Sequence, residues 1–284
     1  MRPDHAQHGT TAWWIPESVV AALLGLSLAL YLVGVHRHRT RGPWPLHRTA
    51  MWIGGLVCLT VSLIGPLAAA ARHDFTAHMA GHLLLGMLGP LLLVLAAPVT
   101  LTLRTLRPAH ARLVSTALRS TVARVLTHPV VAGVLNAGGL WLLYTTELYE
   151  IMHHSLPVHV AVHMHVFLAG VVFTVAIVGP DPNPHRAGFR TRAAVLVLFI
   201  AAHSVLGRWL YGHPPAGVDA AAARAGAQLM FYGGEVLDLA LLVLLFSGWY
   251  PTPDRRSRLL PRNPSRARSS APTHVRKPRE EKTS

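Results

Sequence analysis

Histidine carries most of the chemistry this sequence can offer. The 284 residues hold 19 histidines against 12 acidic residues, and a single cysteine, Cys58. One thiol excludes an internal disulfide, a paired-cysteine redox centre and a multi-thiolate metal cage, so any metal chemistry must use imidazole. His78 and His82 are spaced i, i+4, and so are His159 and His163. On a helix that spacing puts each pair on one face, about 6 Å apart along the axis, and two such pairs can converge on one ion. Imidazole suits copper, zinc, iron and nickel, and thioethers from Met79, Met152 and Met164 would add the softness that favours Cu(I). His153, His154 and His165 stand nearby in the sequence, with His203 and His213 further on. A ligating imidazole usually donates its other N–H to a carboxylate or carbonyl, which makes Asp74, Glu147 and Glu150 the candidate partners. A lone histidine at a helix end more often caps a carbonyl or sits in the wet interface, so the argument rests on the cluster.

The elements that must position these side chains are apolar. The chain is 51% hydrophobic and 13% charged, with mean hydropathy +0.38, far from the roughly quarter-charged balance of a soluble domain. Seven stretches approach the about 20 apolar residues that cross a hydrocarbon core: 15–35, 50–71, 78–103, 129–146, 157–178, 193–211 and 224–250. The predicted fold is all-α, a polytopic seven-transmembrane-helix bundle. Gly65-Pro66, Gly89-Pro90 and Pro98 predict kinks in the second and third helices, which neighbouring helices in a membrane can accommodate.

The net charge of +14 favours an anionic partner, but the basic residues fall between long apolar runs instead of along one face. That excludes nucleic acid and favours phospholipid. The odd-numbered connections carry Arg37, Arg39, Arg41 and Arg48, then Arg104, Arg107, Arg112, Arg119 and Arg124, then Arg186, Arg190 and Arg192; the even ones are nearly bare. Short arginine-rich loops stay on the cytoplasmic side, which puts the amino terminus outside and the carboxyl terminus inside. Residues 1–14 are then a short extracytoplasmic segment, 15–250 the transmembrane domain, and 251–284 a disordered basic cytoplasmic tail near anionic lipid. The first segment has no small-residue cleavage site before Arg37 and is expected to stay as an anchor.

In this orientation His73, His78 and His82 fall at the outer end of the third helix, and His153, His154, His159, His163 and His165 around the outer start of the fifth. Ionisable groups inside the apolar zone cost about 2.5 to 3.5 kcal/mol when charged and point to function by default. His36, His38, His47, His110, His128 and His185 sit in the inner loops and are expected only to be solvated. Glu235 and Asp238 lie inside the last helix and need partners or protons, with Arg208 one candidate. Two haems stacked across the bilayer would need histidines at both ends of the same helices; here each pair is confined to one end, which leaves room for one outer haem at most. Midplane carboxylates and kinked helices also fit a copper or proton-coupled transporter. No phosphate loop, dinucleotide fingerprint, nucleophile elbow or HExxH motif is present, and an enzyme is not expected.

The segment HDFTAHMAGHLLLGMLGPLLLVLAAPVTLTLR, residues 73–104, resembles the signature of CtaG-type cytochrome c oxidase assembly factors, the polytopic family linked to caa3-type oxidases. HPVVAGVLNAGGLWLLYTTELYEIMHHSLPVHVAVHMHVFLAGVVF, residues 128–173, is similar to the next two helices of that family, with His159, His163, Phe167 and Gly170 at the matching positions. Tyr144 stands where many members carry a histidine, and MFYGGEVLDLALLVLLFSGWY resembles the last helix. The resemblance implies a multi-pass protein of a bacterial-type plasma membrane needed for maturation of a haem-copper oxidase. Its expected partners are oxidase subunits and its expected cargo copper, handled on the outer face by His78, His82, His159 and His163, with Met79, Met164 or the His153/His154 pair admitting the ion. An unrelated single-span copper chaperone that shares the name carries paired cysteines, and this chain does not resemble it.

Overall fold

The computed structural model describes residues 11–249, and every regular element among them is helical. The long apolar run at the start forms α1 (Thr11–His38), a 28-residue helix that a short 3₁₀ turn ends at Arg39–Arg41. Leu23, Leu26 and Leu30 on α1 are more than half exposed. A water-soluble domain would bury such a stripe, and a lipid-facing helix presents it. α2 (Leu46–Leu63) stops at Gly65, whose φ of +88° favours glycine, and Pro66 opens the short α3 (Pro66–Ala70).

The predicted third span is built from pieces. Asp74 caps α4 (Phe75–Leu83), its carboxylate accepting from the Ala77 amide at 3.0 Å. A π turn, Leu84–Leu88, leads into α5 (Gly89–Leu95), and a left-handed Ala97 precedes Pro98 and α6 (Pro98–Thr105). The kinks expected at Gly65-Pro66, Gly89-Pro90 and Pro98 are therefore real. Asp181 secures the last break, accepting from the Val99 amide (3.1 Å), the Thr100 amide (2.7 Å) and the Thr100 hydroxyl (2.6 Å).

The arginine-rich connection that follows is helical, α7 (Pro108–Leu118) and α8 (Thr121–Leu126), with no residue buried in either. The predicted fourth span is shorter than expected. It comprises α9 (Pro129–Gly133), a π turn at Val134–Gly138 and α10 (Gly139–Thr145), so it falls below the length of the other spans. The loop expected next is α11 (Leu148–His154). α12 (Leu156–Ile177), α13 (Phe189–Gly212) and α14 (Ala220–Ser247) complete the bundle. Among the described residues, six helices are long and apolar enough to cross a membrane: Glu17–His38, Leu46–Ala70, Phe75–Thr105, Leu156–Ile177, Phe189–Gly212 and Ala220–Ser247. The expected tail, 251–284, lies outside the described residues, as do residues 1–10 of the expected amino-terminal segment; the rest of that segment belongs to α1.

Four apolar clusters fill the interior among the described residues, and two of them include residues of α4. One, towards the Asp181 end, gathers Met87, Leu91, Phe173, Ile177, Leu196, Phe199 and Leu241. The other gathers Phe75, Met79, Leu140, Tyr144, Tyr149, Met152, Leu206 and Met230. α4 packs on α14, and α12 on α5 and the π turn before it. At that second crossing a Cβ on Gly170 would collide with the Gly86 carbonyl, so glycine is what lets α12 lie against the turn below His82. These packings fix the relative positions of the histidine-bearing faces.

Candidate functional site

Phe75, His78, Met79 and His82 form the buried face of α4. His78 Nε2 lies 3.1 Å from the Tyr144 hydroxyl, brought in by α10, and that hydroxyl is 3.8 Å from the Met79 sulfur. With the phenol donating to sulfur, its oxygen accepts from Nε2–H of His78, which leaves Nδ1 as the lone-pair nitrogen. Around the His78 ring, Tyr149 is 5.2 Å away and His153 6.1 Å, centre to centre. Tyr149 is buried beside Asp74, and both effects raise its phenol pKa well above the ordinary value, so it stays neutral.

On α12, the His159 and His163 rings stack at 4.1 Å. Nδ1 of His163 is 2.9 Å from the His159 carbonyl. A carbonyl only accepts, so Nδ1 carries the proton and Nε2 the lone pair. His153 is fixed the same way by the Tyr149 carbonyl at 2.8 Å. His78, His82, His163 and Tyr144 line one small cavity of about 30 Å³, closed by Ser62, Leu85 and Val166; that is space for one ion or water. His78 and His163 also line an adjoining cavity of about 280 Å³ that includes His159, Met164 and the Arg72–Glu17 ion pair (3.7 Å), with Leu and Val side chains from α1, α2 and α12. His82 Nε2 is buried without a hydrogen-bond partner among the described residues.

The predicted quartet thus surrounds two neighbouring cavities. Among the described residues, however, no group of three or more His, Cys, Asp or Glu side chains is arranged to hold a metal ion. The rings stand around a void and do not form a closed coordination sphere. Met79 is fully buried against Tyr144, whereas Met164 is 53% exposed. His154 is exposed, as are Glu147 and Glu150, and Asp74 spends its carboxylate on the α4 cap. His165 donates from Nε2 to the Leu135 carbonyl (3.1 Å), and His213 stacks on Trp209 at 4.7 Å.

Asp238 and Glu235 part company: Asp238 is 2% exposed and Glu235 faces outward on the same helix. The partner of Asp238 is His203, with Nδ1 to Oδ2 at 3.6 Å, and not Arg208, which lies over the Phe231 ring at 5.0 Å. The expectation that His38 is merely solvated also needs correcting. It is 5% exposed, beside Trp44, with Nδ1 donating to the Gly42 carbonyl at 3.2 Å. Sequence reasoning noted Tyr144 only as a departure from a family pattern and did not join His203 to Asp238. The Gly233-Gly234 pair one turn before Asp238 was the available signal, because a Cβ on Gly234 would collide with the His203 ring.

Fold and site together define a protein of the membrane-spanning type, all-helical among the described residues, with His78 and His82 buried on the inner face of α4. The chain belongs to the cytochrome c oxidase caa3 assembly factor family (Caa3_CtaG), whose profile matches residues 29–252. It is 31% identical over 214 residues to an uncharacterized protein of Mycobacterium leprae, covering 72% of this chain and 32% of that one. It is 34% identical over 203 residues to uncharacterized proteins of Mycobacterium bovis and Mycobacterium tuberculosis, covering 68% of this chain and 31% of each. This chain therefore spans about a third of the length of those relatives. No solved structure matches.

Proposed function

We propose that this chain is a non-enzymatic assembly factor that takes up copper as cargo through His78, His82, His159 and His163 and passes it to a subunit of a haem-copper cytochrome c oxidase. The observation that carries this reading is the cavity of about 30 Å³ shared by His78, His82 and His163, with His159 and Met164 on the larger cavity beside it. The donor chemistry fits. His163 offers an Nε2 lone pair, His78 an Nδ1 lone pair, and His82 an Nε2 that no other described residue satisfies, which is the imidazole set that suits copper. His153, with its Nε2 left to accept a metal, and the exposed Met164 flank the site as ligands that admit or release the ion; His154 is exposed one residue further on.

In this reading the apolar helix Pro129–Thr145 joins the six longer ones as a seventh span. The arginines of the odd connections face the cytoplasm, and the histidine end faces outward. The protein sits in a bacterial plasma membrane, with its basic tail at anionic lipid. A transport reading draws on the buried Asp238, but Glu235 points away from the bundle interior. Two measurements separate the readings. Cells carrying His78→Ala/His159→Ala should lose oxidase activity, while copper uptake by sealed vesicles stays at the wild-type level. Uptake that depends on Asp238, with oxidase intact, would overturn assembly in favour of transport. A Soret band in the purified protein would favour a haem protein instead.

A further inference from the structure

The larger of the two cavities beside the histidines exceeds what an ion needs. It holds about 280 Å³, whereas one water takes about 30 Å³ of the liquid. Most of its wall is hydrocarbon, with Leu24 of α1, Leu59 of α2, Leu85 of the π turn and Phe167 of α12 around its deeper part. Water finds few partners in such a space, and apolar cavities stay dry. Left empty, the cavity would forfeit the dispersion contacts of its walls.

Its extent along the bundle matches one leaflet of a bilayer. On α12 the lining begins at Leu156 and ends at Phe167, about 16 Å of helix rise, and half of a hydrocarbon core is about 15 Å. The cavity also opens sideways. Leu23 on α1 and Val160 and Met164 on α12 line it and are exposed, on helices long and apolar enough to cross a membrane, so the medium at the opening is lipid. Charge gathers at one end only. Glu17 is the first residue of the α1 span and Arg72 lies between the next two spans, which puts both at headgroup level. They pair at 3.7 Å with both side chains partly exposed, a looser contact than the about 2.7 to 2.9 Å of a close charge-assisted hydrogen bond.

We infer that this cavity is a binding site for one phospholipid with a zwitterionic phosphoethanolamine head. One acyl chain enters between α1 and α12 and fills the hydrocarbon part. The phosphate accepts from the Arg72 guanidinium, and the ammonium donates to the Glu17 carboxylate, so that each charge of the pair meets its opposite on the lipid. A head with a net negative charge would match Arg72 alone and be repelled by Glu17, and a headless isoprenoid would leave both charges without a match. The seated chain covers the lipid side of His159 and His163, which share the cavity wall. The inference draws nothing from copper, so the two stand or fall separately.

Native mass spectrometry of the full-length chain tests it. The delipidated protein in detergent is titrated with palmitoyl-oleoyl phosphatidylethanolamine and, separately, with phosphatidylglycerol of the same chains. Wild type should retain one phosphatidylethanolamine, roughly fivefold tighter than phosphatidylglycerol, as one charge contact at the headgroup allows. Leu24→Trp/Val160→Trp, which sets an indole into the opening from each side, should lower occupancy roughly tenfold through overpacking. Glu17→Gln should abolish the preference between the two lipids. Equal retention of both by wild type, or of neither, would overturn the inference, as would unchanged occupancy in a folded Leu24→Trp/Val160→Trp chain. Should that variant fail to fold, the two lipids compared on wild type and on Glu17→Gln decide: a preference lost with the carboxylate supports the site, and a preference that survives its removal overturns it.

Discussion

The hydroxyl of Tyr144 is the most informative atom to remove. It is buried and lies 3.1 Å from His78 Nε2. Tyr144→Phe keeps the ring, whose contacts with Phe75 and Tyr149 join α10 to α4 and α11, and deletes the acceptor for the His78 proton together with the weak donation to the Met79 sulfur. A buried polar group left unpaired costs about 1 to 3 kcal/mol. If the loss falls on His78 orientation, it corresponds to roughly a tenfold to hundredfold weaker metal affinity, the usual effect of removing an outer partner of a ligating histidine. The assay is Cu(I) competition against a chelator of known affinity, with thermal unfolding run in parallel. Tyr144→Phe should weaken copper binding by that factor in the wild-type background and have no further effect in His78→Ala, since the two act through one nitrogen. Wild-type affinity in a folded Tyr144→Phe protein would refute the claim that this phenol sets the ligating nitrogen of His78.

Two further outcomes follow from other parts of the bundle. Asp181→Ala removes three hydrogen bonds at the start of α6 and should lower stability by about 1 to 2 kcal/mol, as loss of a helix cap does; thermal unfolding in detergent checks it, and an unchanged midpoint would contradict it. Tyr149 has its phenol pKa raised by burial and by Asp74. Its stabilising contribution is present in full below the unfolded-state value of about 10 and is lost as pH rises through the higher folded value. The fall in stability above about pH 10 should accordingly be shallower in Tyr149→Phe, read from unfolding midpoints across that range.

The long spans were legible because their apolar runs leave few alternatives, and the breaks at Gly65-Pro66, Gly89-Pro90 and Pro98 were legible because proline lacks an amide and glycine tolerates positive φ. The helices α7 and α8 were not foreseen. Their arginines obscure the apolar periodicity, although Pro108 at a first helical position and Ser120 as a cap, accepting from the Ala123 amide at 3.1 Å, were local signals. The i, i+4 histidine pairs were visible because helix geometry is local. What surrounds them was not: Tyr144 reaches His78 across 66 residues of sequence, and His203 reaches Asp238 only because α13 packs on α14 at Gly234. Such contacts depend on tertiary packing, which spacing along one helix does not encode. Asp74 is suited both to capping a helix and to orienting an imidazole, and which of these it does depends on tertiary packing; one of its oxygens caps the start of α4.

The central claim is that imidazoles from α4 and α12 serve one cargo ion, and copper analysis of the purified chain tests it most directly. His78→Ala/His159→Ala, confirmed as folded by its helical spectrum and elution, should lose at least half of the copper that wild type retains. Equal copper on the two proteins would contradict it.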